Sequence, residues 1–65
     1  MMENVFKTLR KQKDLTQREM QLETGIDQSL ISKYETGKRL PPRDTLVLLA
    51  DYFDTTIDDL LGKKR

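Results

Sequence analysis

A chain of 65 residues can form one small domain, and the absence of cysteine and histidine excludes disulfides and the usual zinc sites as stabilisers. We therefore expect a single domain over residues 1–65, held together by regular helix packing or by oligomerisation. The chain has no apolar run of membrane-spanning length and no signal sequence at its start, so we expect a cytoplasmic protein without a membrane contact.

The charges are nearly balanced in number but unevenly distributed along the chain. Residues 28–43 carry four basic groups and one acidic group, whereas residues 44–61 carry five acidic groups and no basic one. The net charge of +1 does not by itself indicate a nucleic-acid ligand, and charged residues often only solvate helix surfaces. The distribution instead predicts two surface patches of opposite sign.

The first two predicted helices lie at about residues 3–12 and 16–23. The first has an apolar face that consists of Val5, Phe6 and Leu9. The second begins with a capping box, in which the Thr16 oxygen accepts from a backbone amide three residues on and Glu19 reaches back. It ends before Gly25, since glycine tolerates the left-handed conformation that ends helices.

A third helix is predicted at about residues 28–36. Asp27 is a favourable N-cap, and Ile26 and Ile31 occupy the positions of a hydrophobic staple around it. Two short helices joined by a turn that contains glycine are typical of a helix-turn-helix motif, here at about residues 16–36. Spacing alone is weak evidence, because any helical hairpin satisfies it.

Two more helices are predicted at about residues 42–53 and 57–61. The longer one has proline in its first turn and an apolar stripe that consists of Leu46, Leu49, Ala50 and Phe53. No segment alternates with the period of a strand. The predicted fold is therefore all-α, a compact bundle of five helices that contains the helix-turn-helix motif.

The outward face of the predicted third helix is polar. Three of its residues are expected to point inward: Ile31, Tyr34 and Glu35. Four hydrogen-bonding side chains then remain on the exposed face: Gln28, Ser29, Ser32 and Lys33. Glutamine can pair with adenine, lysine can donate to guanine and serine can contact several bases, so this face suits base readout in the major groove.

Cations follow the third helix, namely Lys38, Arg39 and Arg43. They lie where they could meet phosphates beside the same groove, although a solvated loop would have the same composition.

Three segments within residues 15–61 occur in the order and spacing of a known family: LTQREM, ISKYETGKRLP and DTLVLLADYFDTTIDDLL. On these segments the chain resembles the Cro and phage-repressor type of helix-turn-helix domain, also called the xenobiotic-response-element family. The resemblance implies a lambda-repressor-like domain whose third helix enters the major groove of double-stranded DNA. It also implies a transcriptional regulator, in our interpretation a repressor, that binds a two-fold-related operator as a homodimer.

The resemblance assigns roles to three further residues. Gln17, at the amino end of the second helix, would hold a phosphate with its side chain and the helix dipole, although it could equally be a helix filler. Arg10 and Glu35 would form a partly buried ion pair that supports the fold. The four side chains of the third helix would read bases, and Lys38, Arg39 and Arg43 would contact the DNA backbone.

Four positions depart from the family pattern. Gln21 replaces the usual alanine where the motif helices approach each other, and could shift the angle between them. Leu30 and Leu48 stand where small or polar residues are common, and Asp54 stands at a helix end where glycine is common. Leu48 and Tyr52 could contribute to a dimer interface, or could simply be exposed.

The main alternative is a protein-interaction module with the same fold. An antitoxin-like partner or adaptor would dock through the acidic surface of residues 44–61. Catalysis is not expected, because the chain has no histidine, cysteine or glycine-rich phosphate loop, and five short helices enclose little cleft. We likewise expect no cofactor, no metal and no small-molecule ligand for this chain.

Overall fold

The computed structural model describes residues 4–62, which form five helices. In chain order these are α1 (Val5–Gln12), α2 (Gln17–Thr24), α3 (Gln28–Glu35), α4 (Arg43–Tyr52) and α5 (Ile57–Leu60). The all-α prediction is confirmed. The predicted helix ends agree with the observed ones to within one residue, except that the expected start of the first helix at residue 3 lies outside the described residues.

Side-chain caps fix where the helices begin. At α2 the Thr16 hydroxyl accepts from the Glu19 amide at 3.0 Å, and the Glu19 carboxylate accepts from the Thr16 amide at 2.8 Å. These bonds complete the predicted capping box. The backbone amide of Thr16, and after it the Thr16 side chain, lower the pKa of Glu19 because they hydrogen-bond to its ionised carboxylate. The Thr56 hydroxyl caps α5 in the same way, at 3.0 Å from the Asp59 amide.

Left-handed residues end several of the helices. Gly25 has a φ of 78° and donates its amide to the Gln21 carbonyl at 2.8 Å, which closes α2 and opens the turn to α3. The described residues after α1 and α4 reverse direction without glycine, because Asp14 and Asp54 have φ values of 57° and 54°. Aspartate adopts this conformation at some energetic cost, which glycine avoids.

Every helix contributes to one apolar core. Its buried residues are Phe6, Met20, Ile31, Tyr34, Leu49, Ala50 and Leu60. The rings of Phe6 and Tyr34 lie 6.2 Å apart between centroids, which joins α1 directly to α3. Of the apolar stripe predicted for α4, Leu49 and Ala50 are buried, whereas Leu46 and Phe53 are half-buried and pack against the core.

Polar contacts also join α1 to α3. The Asn4 side chain accepts from the Phe6 amide at 2.7 Å, so it caps α1, and it donates to the Tyr34 carbonyl at 3.0 Å. One residue therefore starts the first helix and holds the carboxyl end of the third. With the core on one side and these contacts beside it, α3 is held with its remaining face outward.

Candidate nucleic-acid interface

The two faces of α3 differ in burial as the sequence predicted. Ile31, Tyr34 and Glu35 are only 1%, 4% and 6% exposed. On the other face Gln28, Ser29 and Lys33 are exposed and Ser32 is half-buried. The structure therefore brings the four predicted base-reading side chains together on one outward face.

The Glu35 carboxylate anchors the inner side of α3 to α1. Arg10 donates from Nε to Glu35 Oε2 at 2.6 Å and from Nη2 to Glu35 Oε1 at 3.1 Å, a two-pronged ion pair. Its Nη1 donates to the Leu15 carbonyl at 2.7 Å, which adds the segment before α2 to the same network. The predicted partners Arg10 and Glu35 thus form a partly buried ion pair, and the Arg10 guanidinium binds groups within the protein.

Gln17 also belongs to this network. Its amide Nε2 donates to Glu35 Oε1 at 3.1 Å, a contact that the sequence analysis did not foresee. A side-chain amide has two N–H donors, and this contact uses one of them. The contact with Glu35 holds the Gln17 amide against α3, whereas the resemblance predicts that it holds a phosphate at the amino end of α2.

Two side chains from outside α3 bind its first backbone amides. The Gln21 oxygen accepts from the Gln28 amide at 2.6 Å. The Asp27 carboxylate accepts from the Ser29 amide at 2.9 Å and also from the Ser29 hydroxyl. These bonds, the one from the hydroxyl more than the one from the amide, lower the pKa of Asp27 because they stabilise its ionised carboxylate.

The Gln21 contact was missed from the sequence. Gln21 stood out there only as a departure from a family pattern, with no partner assigned to it. In the structure its amide reaches across the turn to the first residue of α3, so that it links the two motif helices. A glutamine seven residues before a helix start is not a recognised capping signal, which explains why spacing did not reveal it.

Two of the predicted phosphate-binding cations, Lys38 and Arg39, directly follow the carboxyl end of α3. The amides of Lys38 and Arg39 donate to the Lys33 carbonyl at 3.0 and 3.3 Å, so the backbone after the helix is held close to it. Arg43 is the first residue of α4. All three of these side chains are exposed, and within residues 4–62 none of them makes an ion pair.

The acidic segment, residues 44–61, exposes its five carboxylates on α4, on α5 and in the turn between them. It includes the half-exposed Leu48, which is 41% accessible, and an open groove between α2 and α4 that Leu48, Tyr52 and Glu23 help to line. The Tyr52 hydroxyl donates to Glu23 at 2.5 Å. Burial, together with this bond and the charge of Glu23, raises the pKa of Tyr52 to about 12.

The described part of the chain was also compared with the requirements of a metal site and of a membrane-spanning helix. Residues 4–62 contain no cluster of three or more potential metal ligands among histidine, cysteine, aspartate and glutamate. None of the helices described is long and apolar enough to cross a membrane.

Comparison with known proteins identifies the family. Residues 6–60 match the helix-turn-helix family, and the chain belongs to it. This match confirms the resemblance drawn from the three sequence segments.

Similar proteins are named as transcriptional regulators. The chain is 49% identical over 41 residues to the HTH-type transcriptional regulator AnsR of Bacillus subtilis, which covers 63% of the chain and 35% of AnsR. It is 41% identical over 54 residues to the cryptic phage CTXphi transcriptional repressor RstR of Vibrio cholerae, covering 83% of the chain and 48% of RstR. It is 38% identical over 54 residues to the HTH-type transcriptional activator BcrR of Enterococcus faecalis, covering 83% of the chain and 26% of BcrR.

The chain spans half or less of the length of these three relatives. No solved structure matches it significantly.

Proposed function

We propose that this chain binds double-stranded DNA sequence-specifically as a transcriptional regulator, with α3 in the major groove. The observation that carries the proposal is the polar outward face of α3, presented by a helix whose inner face is fixed by the core and by Glu35. Membership of the helix-turn-helix family and the names of the relatives support it.

In this proposal the outward side chains of α3 contact base edges: Gln28, Ser29, Ser32 and Lys33. Four residues around them contact phosphates: Gln17, Lys38, Arg39 and Arg43. Side chains at the amino end of a recognition helix are the ones that reach base edges, and cations beside the groove fix the register of the protein on the duplex. The role is one of binding rather than catalysis.

The proposal extends to assembly and to the direction of regulation. We propose repression by a homodimer on a two-fold-related operator, in the cytoplasm. The relatives include a named repressor and a named activator, so their names support regulation more strongly than its direction. The half-exposed Leu48 on the acidic surface supports a contact between two copies away from α3.

A protein-interaction role is the second candidate. Residues 44–61 carry no basic group, and Leu48 and Val47 are exposed among the carboxylates of α4. A protein partner with cationic and apolar side chains would complement such a surface. This role does not exclude DNA binding, and salt dependence distinguishes the two.

The test is the affinity for duplex DNA across a salt series, measured by fluorescence anisotropy on sites enriched from a randomised pool. The logarithm of the binding constant should fall linearly with the logarithm of salt concentration, because phosphate contacts release counterions. The Gln28→Ala, Lys33→Ala double variant should lose its preference for enriched sites and keep weak non-specific binding. The Arg39→Gln variant should bind all sequences more weakly, with a salt slope shallower by about 0.9.

Lys7→Ala is the matched control, since it removes one cation from α1 and leaves the α3 face intact. It should preserve the sequence preference. The DNA proposal fails if wild type does not bind duplex at low salt and micromolar concentration, and a search for a partner of the acidic surface then takes precedence.

A further inference from the structure

The amino end of α3 presents hydrogen-bond acceptors without matching donors. Asp27, the N-cap, is exposed and directs its carboxylate to Ser29. The Ser29 hydroxyl donates to that carboxylate, so its single proton is used within the protein. A serine oxygen then keeps only lone pairs, and to an approaching base Ser29 is an acceptor.

The Asp27 carboxylate is likewise only a hydrogen-bond acceptor. An exposed aspartate is ionised at neutral pH, and the hydrogen bonds from Ser29 lower the pKa of Asp27 further. An ionised carboxylate has about four acceptor positions and no donor. Ser29 occupies only part of them, through its amide and its hydroxyl. The remainder faces solvent beside the Ser29 oxygen.

The backbone of α3 adds no free hydrogen-bond donor beside these acceptors. The Gln28 amide donates to Gln21, and the Ser29 amide donates to Asp27. The next two amides, of Leu30 and Ile31, both donate to the Asp27 carbonyl at 3.0 Å. The first four N–H groups of α3 are therefore satisfied within the protein. Helix amino ends often offer such groups to a ligand, but here they are occupied.

The four bases respond differently to a site made only of acceptors. In the major groove guanine presents two acceptors, and thymine presents one acceptor and a methyl group. Adenine presents its N6 amino donor beside the N7 acceptor. The N7 acceptor would then lie against the carboxylate, which is unfavourable because both groups only accept hydrogen bonds. Cytosine presents only the N4 amino donor, so it is the base that meets no unfavourable partner.

We propose that Asp27 and Ser29 together read cytosine at one position of the bound DNA, by accepting hydrogen bonds from its N4 amino group. The inference rests on the proposed function, because it requires α3 to lie in the major groove. It adds Asp27 to the base-reading residues and makes Ser29 a hydrogen-bond acceptor toward the base. The negative charge of Asp27 disfavours DNA binding in general, so this residue increases selectivity and lowers affinity.

The test compares base preferences of wild type and of Asp27→Asn, obtained by selection from randomised duplexes at one salt concentration. Asparagine caps helices about as well as aspartate, so the variant should fold, which its thermal unfolding curve checks. Wild type should prefer cytosine over the other bases at one position by on the order of tenfold. The variant should lose this preference and accept guanine or thymine there, because its amide introduces donors next to Ser29.

Ser29→Ala provides a second variant with the carboxylate in place. Removing the hydroxyl should weaken the cytosine preference at the same position and leave the other positions unchanged. A retained preference in this variant would remove Ser29 from the site and overturn the proposed pair.

Asp58→Asn is the control for charge, since it removes an exposed carboxylate from α5. Asp58→Asn should bind all duplexes somewhat more tightly and keep the cytosine preference, whereas Asp27→Asn should gain affinity only for duplexes without cytosine at that position. If Asp27→Asn also keeps the cytosine preference, the inference is overturned while the proposed function stands. If wild type selects no sequence at all, the proposed function fails and the inference fails with it.

Discussion

Glu35 is a charged residue in the interior of a very small protein, with 6% of its surface exposed. Burial of a carboxylate is unfavourable unless hydrogen bonds and an opposite charge compensate it. Here Arg10 and Gln17 direct three donors at the two carboxylate oxygens. Within residues 4–62, no buried side-chain nitrogen or oxygen lacks a partner. The pair therefore fixes α3 relative to α1 and α2.

Arg10→Ala should destabilise the fold strongly. Removal of one partner leaves the buried Glu35 carboxylate without its cation, which costs about 3–5 kcal/mol. A core of this size rarely supplies more than about 3–5 kcal/mol in total, so the variant should be largely unfolded. Urea unfolding followed by far-UV circular dichroism measures the change in free energy.

The exposed Lys33→Ala on α3 is the comparison for Arg10→Ala and should change the free energy of unfolding little. The Arg10→Met, Glu35→Leu double variant should recover part of the loss, since it removes both charges and keeps the volume but leaves the Leu15 carbonyl and the Gln17 amide without these partners. Equal destabilisation by Arg10→Ala and Lys33→Ala would show that the pair does not stabilise the fold.

At the scale of the helices, the chain relies on local signals at most helix ends. The Thr16 capping box, the Asp27 N-cap and the Thr56 cap all lie where the sequence placed helix starts. The exception is α4, which begins after Pro42 without a side-chain cap. Proline restricts the backbone before the helix instead, so the start of α4 is set by chain stiffness.

Asp54→Gly should stabilise the protein. Asp54 adopts a φ of 54° after α4, a conformation that is easier for glycine. Its negative charge also lies at the carboxyl end of the helix, which the helix dipole disfavours. We expect a gain of about 0.5–1 kcal/mol in the free energy of unfolding, measured by urea denaturation.

Two companion variants separate these causes. Asp54→Asn removes the charge and keeps a side chain, so it should recover only the electrostatic part. Gly25→Ala tests the backbone alone, because a Cβ at this position would meet no atom within 4 Å. It should lower the free energy of unfolding by about 1 kcal/mol through its φ of 78°. A loss of stability in Asp54→Gly would contradict this account.

The sequence predicted the helices and the outward residues of α3, because caps, staples and apolar spacing are local patterns. It did not predict that Gln21 would bind the Gln28 amide, that Asn4 would reach Tyr34, or that Tyr52 would donate to Glu23. These contacts join residues that are distant in sequence, and no spacing rule connects them. The sequence also could not predict that Ser29 acts as an acceptor, since this depends on where the Asp27 carboxylate points.

At the scale of the whole molecule, the proposed homodimer would place the acidic surface of residues 44–61 against a second copy of the chain. Leu48→Glu should shift the sedimentation profile toward monomer if the wild-type protein dimerises through this surface. A carboxylate at the half-exposed Leu48 would replace an apolar contact and add repulsion among the acidic groups of both copies.

The control for Leu48→Glu is Leu22→Glu, which places the same charge on the exposed α2 residue, 72% accessible, outside the acidic segment. It should leave the sedimentation profile unchanged. An unchanged profile for Leu48→Glu at micromolar concentration, with wild type dimeric, would place the dimer contact elsewhere.

The separation of charge within the chain has a kinetic consequence. With a net charge of +1, the protein should experience little overall attraction to DNA, yet its charges are unevenly distributed, with four basic groups in residues 28–43 and five acidic groups in residues 44–61. If α3 enters the major groove as proposed, this distribution should favour encounters in which α3 faces the polyanion, so that a larger fraction of them begins in a productive orientation. Added salt screens these charges and shortens the range over which they orient the protein. It should therefore slow association with DNA, although a net charge of +1 alone predicts almost no salt effect on the association rate.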